Sequence, residues 1–105
     1  MFKFVFFVPK EHLHDVKEAV FSAGGGKFHN YQDCCWYTLG VGEFIPVEGA
    51  NPAVGDIGSV TQVEEYRVEV MIDSAHIKSC IAALKLVHPY EKPAYEVIKL
   101  EAWSE

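Results

Sequence analysis

Two kinds of hydrophobic repeat alternate along the chain, and their order predicts its secondary structure. Residues 2–8 are a run of Phe and Val, and residues 61–72 alternate apolar with polar side chains. Both patterns are typical of strands. Across residues 10–23 and again across residues 77–87, apolar side chains recur every three or four positions, as on amphipathic helices. A Gly triplet ends the first helix and Pro89 ends the second.

Shorter segments complete the predicted order of elements. Residues 33–39 and 95–100 are predicted to be strands, and residues 102–105 a tail. Glycines and prolines fill residues 40–58, where residues 43–47 are the best candidates for a short stretch of β structure. The predicted order is therefore βαββαβ, with a long Gly-rich segment between the second and third strands.

An internal echo supports this order. Phe7 and Met71 are 64 positions apart, and the same shift superposes the apolar positions of the two helices. Two equal strand–helix units predict an α+β, ferredoxin-like βαββαβ sandwich in one domain spanning residues 1–105. Its four-stranded antiparallel sheet carries both helices on one face.

The echo also predicts which face of the sheet the helices cover. One set of alternating positions is apolar in both units and belongs under the helices: Phe4, Phe6, Val8, Val68, Val70 and Ile72. The opposite set is mixed. It would leave Val5, Phe7 and Met71 exposed in an isolated chain, so we expect these three residues to contact another subunit.

Charge and composition narrow the class of partner. The 105 residues include fifteen Asp and Glu against nine Lys and Arg, for a formal net charge of -6. This balance argues against nucleic acid or an anionic membrane as partner, because both select clustered positive charge. With three cysteines, at least one thiol stays outside any disulfide within the chain. No signal peptide or membrane-spanning run is recognisable. We therefore expect a cytoplasmic protein.

The best local candidate for a metal site is the pair His29 and Cys34. Imidazole nitrogen and thiolate sulfur suit zinc or copper, although no cofactor is required by the sequence. Adjacent residues of a strand face opposite ways, so only one of Cys34 and Cys35 can join His29. The alternative is an ordinary half-buried thiol.

The segment that begins at His88 is the sharpest motif. Pro89 and Pro93 predict a rigid connector from helix to strand. A functional alternative is that His88, Tyr90 and Glu91 contact a ligand or a neighbouring subunit, with the Gly-rich segment as the opposite wall. No local signature of a catalytic nucleophile is present in the sequence, which argues against an enzyme.

Four segments together resemble the inserted domain of the NGG-interacting-factor family, the YqfO-like proteins. They read AGGGKFHNY at residues 23–31, GVGEFIPVEGANP at 40–52, VEEYRVE at 63–69 and HPYEKPAYE at 88–96. A similar Pro-Tyr-Glu segment precedes the last strand of CutA proteins. The resemblance implies a CutA/PII-like fold, a homo-oligomer that is a trimer, and a ligand cleft between subunits. It also favours Cys34 as the family-like position.

The resemblance also implies that the insert of longer family members lies within a larger domain, which carries a two-metal centre. Nothing in these 105 residues corresponds to that domain. We therefore expect a free-standing copy of the insert, acting as a small oligomeric regulatory or assembly protein with a possible protein partner. The alternatives are a CutA-like divalent-metal-binding protein and a hydrolase whose site lies between subunits.

Overall fold

The predicted sandwich is present in the computed structural model, which describes residues 1–101. In chain order the elements are β1 (Phe2–Pro9), a 3-10 turn (Lys10–His12), α1 (Leu13–Ser22), β2 (Trp36–Phe44), β3 (Thr61–Ile72), α2 (Ile77–Val87) and β4 (Tyr95–Lys99). All neighbouring strands are antiparallel, in the order β2-β3-β1-β4. The tail expected at residues 102–105 lies outside the described residues. No helix within residues 1–101 is long and apolar enough to cross a membrane.

The core lies where the echo predicts it, between the two helices and one face of the sheet. The strands contribute the six apolar positions named above, all within 1% of complete burial. The helices close this layer from above with Val16, Val20, Cys80 and Leu84, which are fully buried. Because β1 is an inner strand, its side chains on this face are covered by the helices as well as by strands on both sides.

The opposite face corrects one expectation, since Val5 is fully buried in the single chain. Lys3 and Arg67 each place a nitrogen 3.3 Å from the carboxylate of Glu69, which pairs with Val5 across the ladder. Arg67 also lies over the ring of Phe7, 5.7 Å from its centroid. Val5 is thus buried between Glu69 on β3 and Glu96 on β4, its partners across the two ladders. The prediction that Val5 is exposed is therefore wrong, and Phe7 and Met71 are only half-buried.

The second strand begins and ends later than the sequence predicts. Asp33 adopts a positive φ of 57°, and regular pairing begins only at Trp36, so Cys34 and Cys35 precede the strand. At its other end, β2 continues through Gly40 and Gly42 to Phe44. Glycine weakens a strand on its own account, but here continuous pairing with β3 holds the backbone extended.

The long third strand creates the most distinctive feature of the fold. β1 pairs with β3 only from Glu65 onward, so Thr61–Glu64 pairs with β2 alone. Residues 41–64 therefore leave the body of the sheet as a two-stranded projection with a long loop, here called the hairpin arm. The arm gives the molecule its elongated shape of 51 × 24 × 22 Å.

Two leucines of α2 give a direct test of the core assignment. Leu84 is fully buried, whereas Leu86 is 85% exposed. We expect Leu84→Ala to lower the free energy of unfolding by about 2–5 kcal/mol, because it leaves a cavity in the core. Leu86→Ala should change it by less than about 0.5 kcal/mol. Urea denaturation followed by circular dichroism at one protein concentration measures both, and equal losses would contradict the assignment.

Candidate functional site

A groove lies between the hairpin arm and the connector that joins α2 to β4. Its volume is about 380 Å³, within the range typical of small-molecule sites. The arm, the open face of the sheet and the connector all contribute to its walls, which include Phe7, Phe44, Pro46, Glu65, Tyr90 and Glu91. The chain thus brings two segments far apart in sequence to the same concave surface.

His88 holds the connector in place from beneath the groove. Its side chain is buried, and its Nε2–H donates to the carbonyl oxygen of Phe7 at 2.7 Å. The backbone N–H of Tyr90 donates to Nδ1 at 3.1 Å. Both contacts are satisfied by one neutral tautomer, with the proton on Nε2. Because both ring nitrogens are occupied by protein, His88 orients Tyr90 and does not line the groove.

Tyr90 lines the groove, and its hydroxyl has no hydrogen-bond partner within the described residues. Its ring packs against those of His88 and Phe44, with centroids 5.1 and 6.3 Å away. The hydroxyl oxygen is buried, and no residue within the described 1–101 forms a hydrogen bond with it. Burial, followed by the nearby charges of Glu65 and Glu11, raises the pKa of Tyr90. The phenol is therefore a neutral group that can donate or accept one hydrogen bond.

Two carboxylates line the groove with Tyr90, and they differ in their hydrogen bonding and burial. Glu91 accepts a hydrogen bond from the backbone N–H of Asn51 at 3.0 Å, which fastens the arm loop to the connector. Glu65, on the open face of β3, lies directly over Gly42, where a Cβ atom would collide with its carboxylate. Burial raises the pKa of Glu65. Gly42 is thus required to give Glu65 its place in the groove.

The proposed metal ligands lie elsewhere. His29 sits in a turn with a positive φ of 52°, its ring 4.4 Å from that of Phe28. Cys34 is half-buried, and Cys35 packs against the core, where burial raises its pKa. Across residues 1–101, no three His, Cys, Asp or Glu side chains gather closely enough to hold a metal ion. Metal binding by His29 and Cys34 alone stays a prediction.

Sequence reasoning singled out Tyr90 and Glu91 and named the Gly-rich segment as the opposite wall, and the structure places all of these on the groove. It did not single out Glu65, nor Phe44 and Asn51 within that segment. Strand alternation put Glu65 on the mixed face, but only the register of β2 against β3 brings it beside Gly42. Gly42 lies diagonally across the β2–β3 ladder from Glu65 and leaves space for its carboxylate. This relation cannot be recognised in the sequence until the pairing of the two strands is known.

The state of His88 predicts a pH dependence of stability. Burial, opposed by the hydrogen bond to Phe7, lowers its pKa below the ordinary value of 6.5. Between that lowered pKa and 6.5 the unfolded chain binds more protons, so the free energy of unfolding falls as pH drops below about 6.5. Urea titrations between roughly pH 7 and 5.5 measure this slope, at pH values above most carboxylate titrations.

His88→Phe should flatten that slope, while His14→Gln, at an exposed histidine of α1, should leave it unchanged. The comparison uses the slope rather than the absolute stability, because His88→Phe also removes two hydrogen bonds. A wild-type slope equal to that of His88→Phe would show that His88 does not remain neutral in the folded state.

Sequence comparison with known proteins finds relatives that share one name. No protein-family model matches the chain. Over 98 residues, 93% of the chain, it is 42% identical to a protein of Mycobacterium leprae named "GTP cyclohydrolase 1 type 2 homolog". A Bacillus subtilis protein of the same name is 35% identical over 99 residues. The chain spans about a quarter of the length of these curated relatives, 26% in each case.

Solved structures agree with the sequence matches. A Bacillus cereus protein related to NIF3 superposes with a TM-score of 0.82 at 37% identity, covering 96% of this chain and 26% of that one. CutA from Archaeoglobus fulgidus superposes with a TM-score of 0.66 at 14% identity, covering 89% of that chain, which shows a shared fold. The resemblance to the NGG-interacting-factor (NIF3) family is therefore confirmed over nearly the whole chain, which has a CutA-like fold.

Proposed function

We propose that this chain is a regulatory and assembly module that self-associates through the β2 edge and the hairpin arm and receives a small molecule in the groove. The observation that carries the proposal is the exposed apolar edge of the sheet. β2 has a strand partner on one side only, and Leu39 and Val41 are exposed on it. Unpaired edge strands of this length readily pair with another chain.

The arm extends this apolar edge outward. Further exposed hydrophobic residues follow in its loop: Ile45, Val47, Ile57 and Val60. A second copy of the chain has matching edges and the same apolar side chains, so it is the occupant we propose for this surface. A trimer is the order that the family resemblance implies, and it is the order we propose. Val5 has no part in this interface because it is buried within the chain.

Assembly and the groove share the same structural element. The arm forms one wall of the groove, and the contact between Asn51 and Glu91 joins that wall to the connector. A ligand that orders the arm would favour the assembled state, and assembly would favour the ligand to the same extent. This reciprocity is the regulatory mechanism we propose. Divalent-metal binding and hydrolysis between subunits are the alternative functions.

Sedimentation velocity at micromolar concentration tests the assembly. We expect the wild-type chain to sediment at three times its mass of 11.8 kDa. Val41→Lys places a charge on the edge, where it should block pairing and give the monomer. Leu86→Lys, at an equally exposed site on α2, should leave the oligomer intact. A wild-type monomer, or dissociation by Leu86→Lys alone, would refute the proposed interface.

A further inference from the structure

The charges around the groove restrict what can bind there. Three carboxylates, Glu43, Glu65 and Glu91, reach its walls against one lysine, Lys92, which is exposed to solvent. Two of the carboxylates already have protein partners: Gln62 donates to Glu43 at 2.9 Å, and the backbone of Asn51 donates to Glu91. Acidic walls repel phosphates and other anions and favour cations.

Glu65 is the carboxylate that remains available. It is half-buried, and none of the ion pairs formed within residues 1–101 includes it. A carboxylate withdrawn from water without a counter-charge is unfavourable, and a cation placed beside it relieves that cost. The surrounding structure accommodates the group through Gly42, where a side chain would displace it.

Tyr90 lines the same groove, and its buried hydroxyl has no hydrogen-bond partner within residues 1–101. Burial, followed by the charge of Glu65, raises the pKa of this phenol. A buried hydroxyl without a partner is uncommon in folded proteins. An N–H donor entering the groove can reach the Glu65 carboxylate, whereas the buried Tyr90 hydroxyl is closed to it. The rings of Phe7 and Phe44 would meanwhile contact an apolar body.

We propose that the groove binds a small organic cation, an ammonium or guanidinium group carried on a compact apolar body. The cationic group lies beside Glu65, and the apolar body lies against Phe7 and Phe44. This inference rests on the proposed use of the groove as a ligand site and adds the chemical class of the ligand.

Two probes with the same aromatic body and opposite charge test the proposal. These are 2-phenylethylammonium and 3-phenylpropionate, each titrated into the full chain and followed by amide chemical shifts. We expect the ammonium to shift Phe44, Glu65 and Tyr90 in a saturable manner, with a dissociation constant at least roughly tenfold below that of the carboxylate.

Variants then locate the cation. Glu65→Gln should weaken binding of 2-phenylethylammonium by roughly tenfold, because it removes the charged partner. Glu64→Gln is the matched control, because Glu64 is the adjacent acid on β3, points to the other face and pairs with Lys10. Its removal changes net charge equally and should leave the affinity unchanged.

Each outcome has a distinct meaning. Equal or tighter binding of 3-phenylpropionate in the groove would keep the ligand site but overturn its cationic selectivity. Equal loss in Glu64→Gln and Glu65→Gln would show general attraction to an acidic protein and overturn the inference. Binding of neither probe at millimolar concentration would overturn both the inference and the proposed ligand site, while sedimentation reports on assembly separately.

Discussion

The unequal length of two neighbouring strands is the constraint on which the rest of this structure depends. β3 has twelve residues and β1 has eight, so the first four residues of β3 can pair only with β2. In those residues the backbone groups that face β2 pair within the hairpin, while the groups on the other side have no strand beside them. The hairpin therefore projects beyond the core, and the arm, the exposed edge and the groove all result from that projection.

The connector between α2 and β4 forms the groove together with the hairpin arm. Its position is set by a buried histidine that binds β1 through one ring nitrogen and the connector backbone through the other. Prolines on either side limit the conformations of the chain between them. Tyr90 is thereby positioned beside the sheet. The arm is joined to the connector by the hydrogen bond that the Asn51 backbone donates to Glu91.

The open face shows how a sheet can be shielded without a second layer. A hydrophobic side chain on an inner strand is usually covered by packing against another element. Here the partners of Val5 across the two ladders are Glu69 and Glu96, and Glu69 forms ion pairs with Lys3 and Arg67. Alternation correctly assigned Val5 to this face. It could not give its exposure, because exposure depends on the conformations of the long side chains around it.

The sequence by itself determined the elements and the core. Periods of two and of three to four, punctuated by Gly and Pro, closely give β1, α1, β3 and α2, because local backbone preference and burial agree there. The last residues of β2 were missed, since its glycines oppose a strand locally and only pairing with β3 overrides them, and its first residues were misplaced because Asp33 adopts a positive φ. The sequence indicated the two segments that form the walls of the groove, and tertiary structure decided which side chains meet there. The pairing register sets Glu65 over Gly42, and a long-range contact brings Asn51 to Glu91, so neither position has a local signal in the chain.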